Sequence, residues 1–150
     1  MNESIGKMVT LLARNILQDL KGVIEPFGIT VGEEPYFMVL AHEDGITQEE
    51  LTNQVGVDKS ATARAVKSLM EKEYIRREID LIDKRNKRLY LTEKAKAKYI
   101  SLSNALGKYN QELTDEWSQE QYEFVYHSLK TLQEKLEKKK NRVKDVNKSV

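Results

Sequence analysis

The residues in this chain with the most chemistry to offer are cations. Lys84, Arg85, Lys87 and Arg88 fall within five positions, Arg77 precedes them, and Lys59, Arg64 and Lys67 lie upstream with the hydroxyls of Ser60 and Thr62 among them. Guanidinium and ammonium groups beside short hydroxyl donors suit an anionic lattice. They neutralise phosphates, and arginine can bond the O6 and N7 of guanine together. Catalysis has much less to work with. No phosphate-cradling glycine loop, zinc-ligand spacing or nucleophile elbow occurs, and His42 and His127 are the only imidazoles. The chain reads as a binding protein, not an enzyme, with no cofactor or metal.

The distribution of charge supports the same reading. A net charge of +1 conceals a strong partition. Residues 1–56 carry 3 Lys/Arg against 9 Asp/Glu, residues 57–98 carry 13 against 7, and residues 99–150 carry 9 against 8. A concentrated positive block on a nearly neutral chain is the electrostatic footprint of a surface that meets phosphates. Cations on a hairpin tip have little structural use there, which argues against an ordinary solvated face.

Two helices and a hairpin must hold these groups. Thr47-Gln48-Glu49-Glu50 is a capping box that opens a short helix with Leu51 and Val55 facing inward. Gly56 permits the tight turn that follows, Val57 is expected to plug the gap between helices, and Asp58 caps a second helix running to about Glu73. Ala61, Ala65 and Leu69, with Val66 beside them, form the inward face of that helix. Ser60, Ala63, Arg64 and Lys67 form the opposite one. Ile75, Ile79 and Leu81 alternate along one strand and Leu89 and Leu91 along another, with Asp83-Lys84-Arg85-Asn86 as the turn between them. Helix, turn, helix and basic hairpin make a winged helix-turn-helix, spanning about 32–98 with the elements that lead into it.

The flanks read as amphipathic helices. Ile5, Met8, Val9, Leu12, Ile16, Leu20, Val23 and Ile24 form one stripe, ended by Pro26 and Gly28. A further helix starts near Glu33, with Pro35 in its first turn, and stops at Asp44-Gly45. Thr92 caps a long helix striped by Ala95, Tyr99, Leu102, Leu106, Tyr109 and Leu113. A second capping box, Ser118 to Gln121, opens the last helix, striped by Tyr122, Val125, Leu129, Leu132 and Leu136. The charged stretch after Leu136 is expected to fray. The chain of 150 residues is expected to form one mainly helical domain with a small β-hairpin wing. The apolar seams at about 4–26 and 93–140 either pack within one chain or serve dimerisation. The absence of cysteine excludes disulfides and thiol redox sensing, and Arg14 interrupts the early apolar run Met8–Ala13, so the expected location is cytoplasmic with no membrane contact.

With these elements in place the chain resembles the MarR (multiple antibiotic resistance regulator) family of winged helix-turn-helix transcription factors. The match is carried by the Asp-x-Arg wing turn, here Asp83-Lys84-Arg85, by the Leu91-Thr92 pair, and by Ser60, Arg64 and Arg77. Glu73 and Ala95 stand where the family often has glycine, and Ala63 where it often has threonine. The substitution at Glu73 implies either a distorted helix end or a non-glycine residue held at positive φ.

The resemblance implies a homodimeric regulator, usually a repressor, on a palindromic double-stranded DNA operator. Lys59, Ser60, Thr62, Arg64 and Lys67 then contact bases or phosphates from the major groove. Arg85 enters the minor groove, Lys84, Lys87 and Arg88 hold the backbone, Asp83 pairs with a nearby arginine to fix the wing, and Arg77 also serves wing structure. The family commonly binds a small aromatic or amphipathic effector between its dimer helices and winged domain. Met8, Leu12, Tyr36, Phe37 and His42 either line such a site or are ordinary packing residues. The main alternative function is a winged-helix module for protein–protein contact, which would not need the basic wing.

Overall fold

A computed structural model describes residues 3–150. Six helices and three short strands follow one another as α1 (Ile5–Ile24), α2 (Glu34–His42), β1 (Ile46–Thr47), α3 (Gln48–Val55), α4 (Lys59–Glu71), β2 (Ile75–Ile79), β3 (Lys87–Leu91), α5 (Glu93–Leu113) and α6 (Gln119–Lys148). Their contacts group into two compact units, Met1–Tyr109 and Asn110–Val150. No helix among the described residues is long and apolar enough to cross a membrane.

Local chemistry starts and stops most of these helices. Ser4 caps α1, which ends in a 3-10 turn over Glu25–Phe27 containing Pro26. At α3 the Thr47 Oγ1 accepts from the Glu50 amide at 3.2 Å, and the Glu50 carboxylate accepts from the Thr47 amide at 2.8 Å. Ser118 and Gln121 repeat that exchange at α6. Gly56 closes α3 at φ 75°, a conformation that lets the chain reverse into α4 without a Cβ clash. The Asp58 carboxylate then accepts from the Ala61 amide at 2.7 Å.

The end of α4 resolves the question raised by Glu73. Tyr74 N–H donates to the Leu69 carbonyl and Glu73 N–H to the Met70 carbonyl, both at 2.9 Å, which is the Schellman closure of a helix. Such a closure needs one residue in the left-handed region, and Glu73 occupies it at φ 62°. The Thr92 hydroxyl donates to the Glu73 carbonyl at 2.6 Å and accepts from the Ala95 amide at 3.2 Å, so one side chain fixes this turn and caps α5. A Cβ at positive φ costs about 1–2 kcal/mol, partly offset because glycine loosens the unfolded chain. Glu73→Gly is therefore expected to raise unfolding stability by about 0.5–1 kcal/mol in urea titration, with an unchanged m value.

The core of the first unit gathers Ile24, Phe37, Leu40, Leu51, Val66, Leu69, Leu89, Leu91 and Leu102 from almost every element. The strands form one antiparallel sheet in the order β1-β3-β2. Sequence periodicity had shown only the hairpin; β1 pairs Ile46 with Leu89 and Thr47 with Arg88 and is too short to carry a periodic signal. This inner pairing explains the burial pattern. Leu89, Leu91 and Ile75 lie at the base of the hairpin over the core, whereas Ile79 is 62% exposed and Leu81, beyond the strand, is 96% exposed. The expected inward alternation along β2 thus fails past Ile75, because the hairpin outruns the core it grows from.

Two further expectations are corrected. Val57 does not plug the space between α3 and α4; it is exposed, and the buried apolar residues of these helices are Leu51, Ala65, Val66 and Leu69. The charged segment after Leu136 continues α6 to Lys148, as its Lys, Glu and Arg content favours helix. Helix α6 buries no residue within the single chain.

Candidate nucleic-acid interface

The recognition face is set by the rotation of α4. Thr62, Ala65, Val66 and Leu69 form its buried stripe, so Lys59, Ser60, Ala63, Arg64 and Lys67 are turned to solvent. Thr62 is the correction: expected to face the groove, it is completely buried. Its Oγ1 lies 3.2 Å from the Asp58 carbonyl and 3.5 Å from the Tyr36 hydroxyl. Its position follows from helical spacing: residue 62 falls three, four and seven positions before Ala65, Val66 and Leu69. Thr62 braces α4 against α2 and is withdrawn from solvent.

A second brace holds the far end of α4. Glu33 is buried just ahead of α2, yet its carboxylate accepts from Ser68 Oγ at 2.7 Å and from Lys72 Nζ at 2.7 and 3.0 Å. Burial alone would raise its pKa. The bonds from Lys72, Ser68 and the Thr30 amide, with the charge of Lys72, outweigh that and hold it below the ordinary glutamate value. Neighbouring Glu34 lacks such partners, and burial pushes its pKa upward. Sequence reasoning overlooked Glu33, since its partners lie 35 and 39 residues away.

The wing is organised by one arginine and two aspartates in unexpected roles. Arg88 donates through Nε and Nη2 to the Asp80 carboxylate at 3.1 Å, and through Nη1 to the Gly45 carbonyl at 2.7 Å. It therefore clamps the hairpin to the turn before β1 and is not a spare cation for the DNA backbone. Asp80 also accepts from the Ile82 amide at 2.9 Å; that bond, offset in part by desolvation, and the Arg88 guanidinium keep its pKa low. Asp83, expected to pair with an arginine side chain, instead accepts from the Arg85 backbone amide at 3.0 Å and from Asn86 Nδ2 at 3.3 Å. It shapes the turn, and the arginine-paired carboxylate is Asp80. Both carboxylates are local to the hairpin, so sequence spacing could not rank them.

The remaining cations separate by use. Lys72, Arg76, Arg88, Lys94, Lys96 and Lys98 each engage a carboxylate, a carbonyl or an aromatic ring. The side chains of Lys59, Arg64, Lys67, Arg77, Lys84, Arg85 and Lys87 are exposed and carry no hydrogen bond or ion pair among the described residues. Arg77, assigned beforehand to wing structure, is one of these. It borders an open cleft of about 400 Å³ with Thr47, Gln48, Arg85 and Lys87, and a second of about 510 Å³ with Lys67 and Met70. Arg77 thus stands between the wing and α4.

The residues suggested for an effector do not share one environment. Tyr36 and Phe37 are core residues, Phe37 set edge-on to Tyr74 with ring centroids 6.3 Å apart. Met8 and Leu12 lie on the exposed side of α1, about half accessible. His42 is exposed, with Nε2 at 3.4 Å from the Tyr99 hydroxyl. No grouping of His, Cys, Asp and Glu among the described residues could hold a metal ion.

Comparisons with known proteins agree with this geometry. The model of the MarR family matches residues 36–87, from α2 to the first residue of β3. A MarR transcriptional regulator from Methanosarcina mazei Go1 superposes with a TM-score of 0.80 at 34% identity, covering 89% of this chain and 96% of its own. An uncharacterized HTH-type transcriptional regulator of Bacillus subtilis, YwoH, is 26% identical over 126 residues, 84% of this chain and 91% of that protein. A putative MarR family transcriptional regulator from Listeria monocytogenes, solved in complex with a 26mer DNA, superposes with a TM-score of 0.82 at 21% identity, covering 90% of each chain.

Proposed function

The chain belongs to the MarR family of transcriptional regulators, and from that premise we propose that it is a homodimeric repressor of a palindromic operator. The observation that carries this reading is the division of cations. Lys59, Arg64 and Lys67 on the outer face of α4, Arg77 on β2, and Lys84, Arg85 and Lys87 at the wing are uncommitted, while Lys72, Arg76, Arg88, Lys94, Lys96 and Lys98 are spent on the fold. Lys59, Ser60, Arg64 and Lys67 read the major groove and Arg85 anchors the minor groove. Lys84 and Lys87 neutralise phosphate, and Arg77 joins them from the cleft between wing and helix. The Listeria monocytogenes structure with bound DNA supports a duplex as ligand.

Dimerisation draws support from unspent apolar surface. Ile5, Met8 and Leu12 on α1, and Leu129, Leu132 and Leu136 on α6, are each at least 41% exposed in the single chain. A second copy covering these seams would place two copies of α4 in successive major grooves, about 34–36 Å apart. Release by a small aromatic or amphipathic effector remains part of the proposal, with Met8, Leu12 and His42 as its contacts. Such a molecule acts only by preferring the dimer geometry that cannot span both half-sites.

Selection of binding sites from random duplex DNA, paired with light scattering, tests the reading. The expected result is an inverted repeat bound by a dimer. Enrichment of no sequence, or a monomer at micromolar concentration, would overturn it and favour a protein-binding module.

A further inference from the structure

The wing tip carries two aliphatic side chains that the fold does not use. Leu81 is 96% exposed and Ile82 is 97% exposed, the most open large apolar side chains among the described residues of the first unit. Their exposure is not slack. The Ile82 amide is held by Asp80 Oδ1 at 2.9 Å, and the Asp80 amide donates to the Asn86 carbonyl at 2.9 Å. The Asp80 carboxylate is in turn fixed by Arg88, which is anchored on the Gly45 carbonyl. A braced turn therefore presents Leu81 and Ile82 outward, immediately before the uncommitted Lys84, Arg85 and Lys87.

Resting on the DNA-binding reading above, we infer that Leu81 and Ile82 form an apolar wedge that the wing presses into the minor groove beside Arg85. A minor groove joins enhanced negative potential with apolar sugar walls and base edges, and the tip matches both features within seven residues. Aliphatic side chains inserted there partly unstack a base step and bend the duplex, most cheaply at flexible pyrimidine–purine steps. A second copy of this chain is a poor occupant, because its own cationic tip would repel. Two aliphatic residues are also too little to hold a membrane surface. The wedge gives the wing a sequence preference without any hydrogen bond to a base.

The test uses the full chain and an operator recovered by selection, in versions differing only at the step beneath the wing. Leu81→Ser/Ile82→Ser changes only exposed side chains, so the fold is retained. Wild type is expected to bind the pyrimidine–purine version several-fold more tightly and to bend it, read by end-to-end energy transfer. The double variant is expected to lose about tenfold in affinity, the step preference and part of the bend. Its dependence on salt should be unchanged, since no phosphate contact is removed. Equal affinity, preference and bending in the two proteins would overturn the wedge while leaving the DNA reading intact. A weaker dimer, or lost binding to anionic vesicles with DNA binding unchanged, would also overturn it by assigning the pair to another surface. A wild-type chain that retains no duplex would remove the DNA reading itself.

Discussion

Arg85→Ala is expected to weaken binding to every duplex by about ten- to a hundredfold, without altering the thermal midpoint or the dimer. The guanidinium of Arg85 is exposed and uncommitted, so its removal costs the fold nothing. Its loss also lowers the slope of log affinity against log salt by about one, since a cation that displaces condensed counterions from the minor groove is gone. Arg88→Ala, only three residues away, gives the informative contrast. It removes the bonds to Asp80 and Gly45, so Asp80 Oδ2 and the Gly45 carbonyl lose their guanidinium donors while Oδ1 keeps the Ile82 amide. The expected outcome is faster amide exchange at residues 80–88 in the free protein, with weaker DNA binding as a consequence. Equal exchange in the two variants would reject the assignment of one arginine to anchoring and the other to support. Arg64→Ala completes the set: a base-reading arginine predicts loss concentrated on one operator position, by about 1–3 kcal/mol.

Glu33→Ala is expected to cost about 2–3 kcal/mol of stability at neutral pH and to lower the thermal midpoint by several degrees. The substitution strips Ser68 and Lys72 of their acceptor. The penalty stays below that of a fully buried pair because Lys72 retains 33% side-chain exposure and can rehydrate. The pH dependence has a definite sign. Glu33 is held below its ordinary pKa, so its contribution is complete above the normal glutamate range and fades as pH falls through the folded value. The gap between wild type and Glu33→Ala should therefore narrow on acidification. Glu34 runs the other way: burial raises its pKa, so its ionised form disfavours the folded chain as pH rises through the folded value. Glu34→Gln should stabilise the protein at neutral pH and have little effect in acid. Calorimetry of both variants at two pH values checks both signs. A gap for Glu33→Ala that widened in acid would contradict the assignment.

These predictions also show why the interface was only partly legible beforehand. Arg85 and Arg88 are both cations of one short basic cluster, yet one is free and the other ties the hairpin to a carbonyl 43 residues away. At Thr62 a hydroxyl among cations suggests a surface, although its spacing to Ala65, Val66 and Leu69 points inward, where the structure places it. Leu81 was misjudged by pattern, because strand alternation continues in the sequence after the core has ended. At Glu73, by contrast, the family resemblance, which often has glycine there, leaves two alternatives, and its backbone angle selects the positive-φ one.

What the sequence determined by itself was the set of features whose causes lie within a turn or two of chain. These include the capping boxes of α3 and α6, the glycine turn after α3, the stripes of the long helices, the basic hairpin and, through them, the winged helix-turn-helix. The caps and stripes depend on partners three to seven residues apart and the hairpin on strands paired 8 to 16 residues apart, and such spacing is visible in a string of letters. Only the tertiary structure decided which polar groups are spent and which are available. Glu33 reaches Lys72, Arg88 reaches Gly45, and Asp44 accepts from the Leu91 amide 47 residues on, across elements brought together by burial of the common core. A side chain already satisfied by such a partner gains little from a ligand, so the free surface is what long-range folding leaves over.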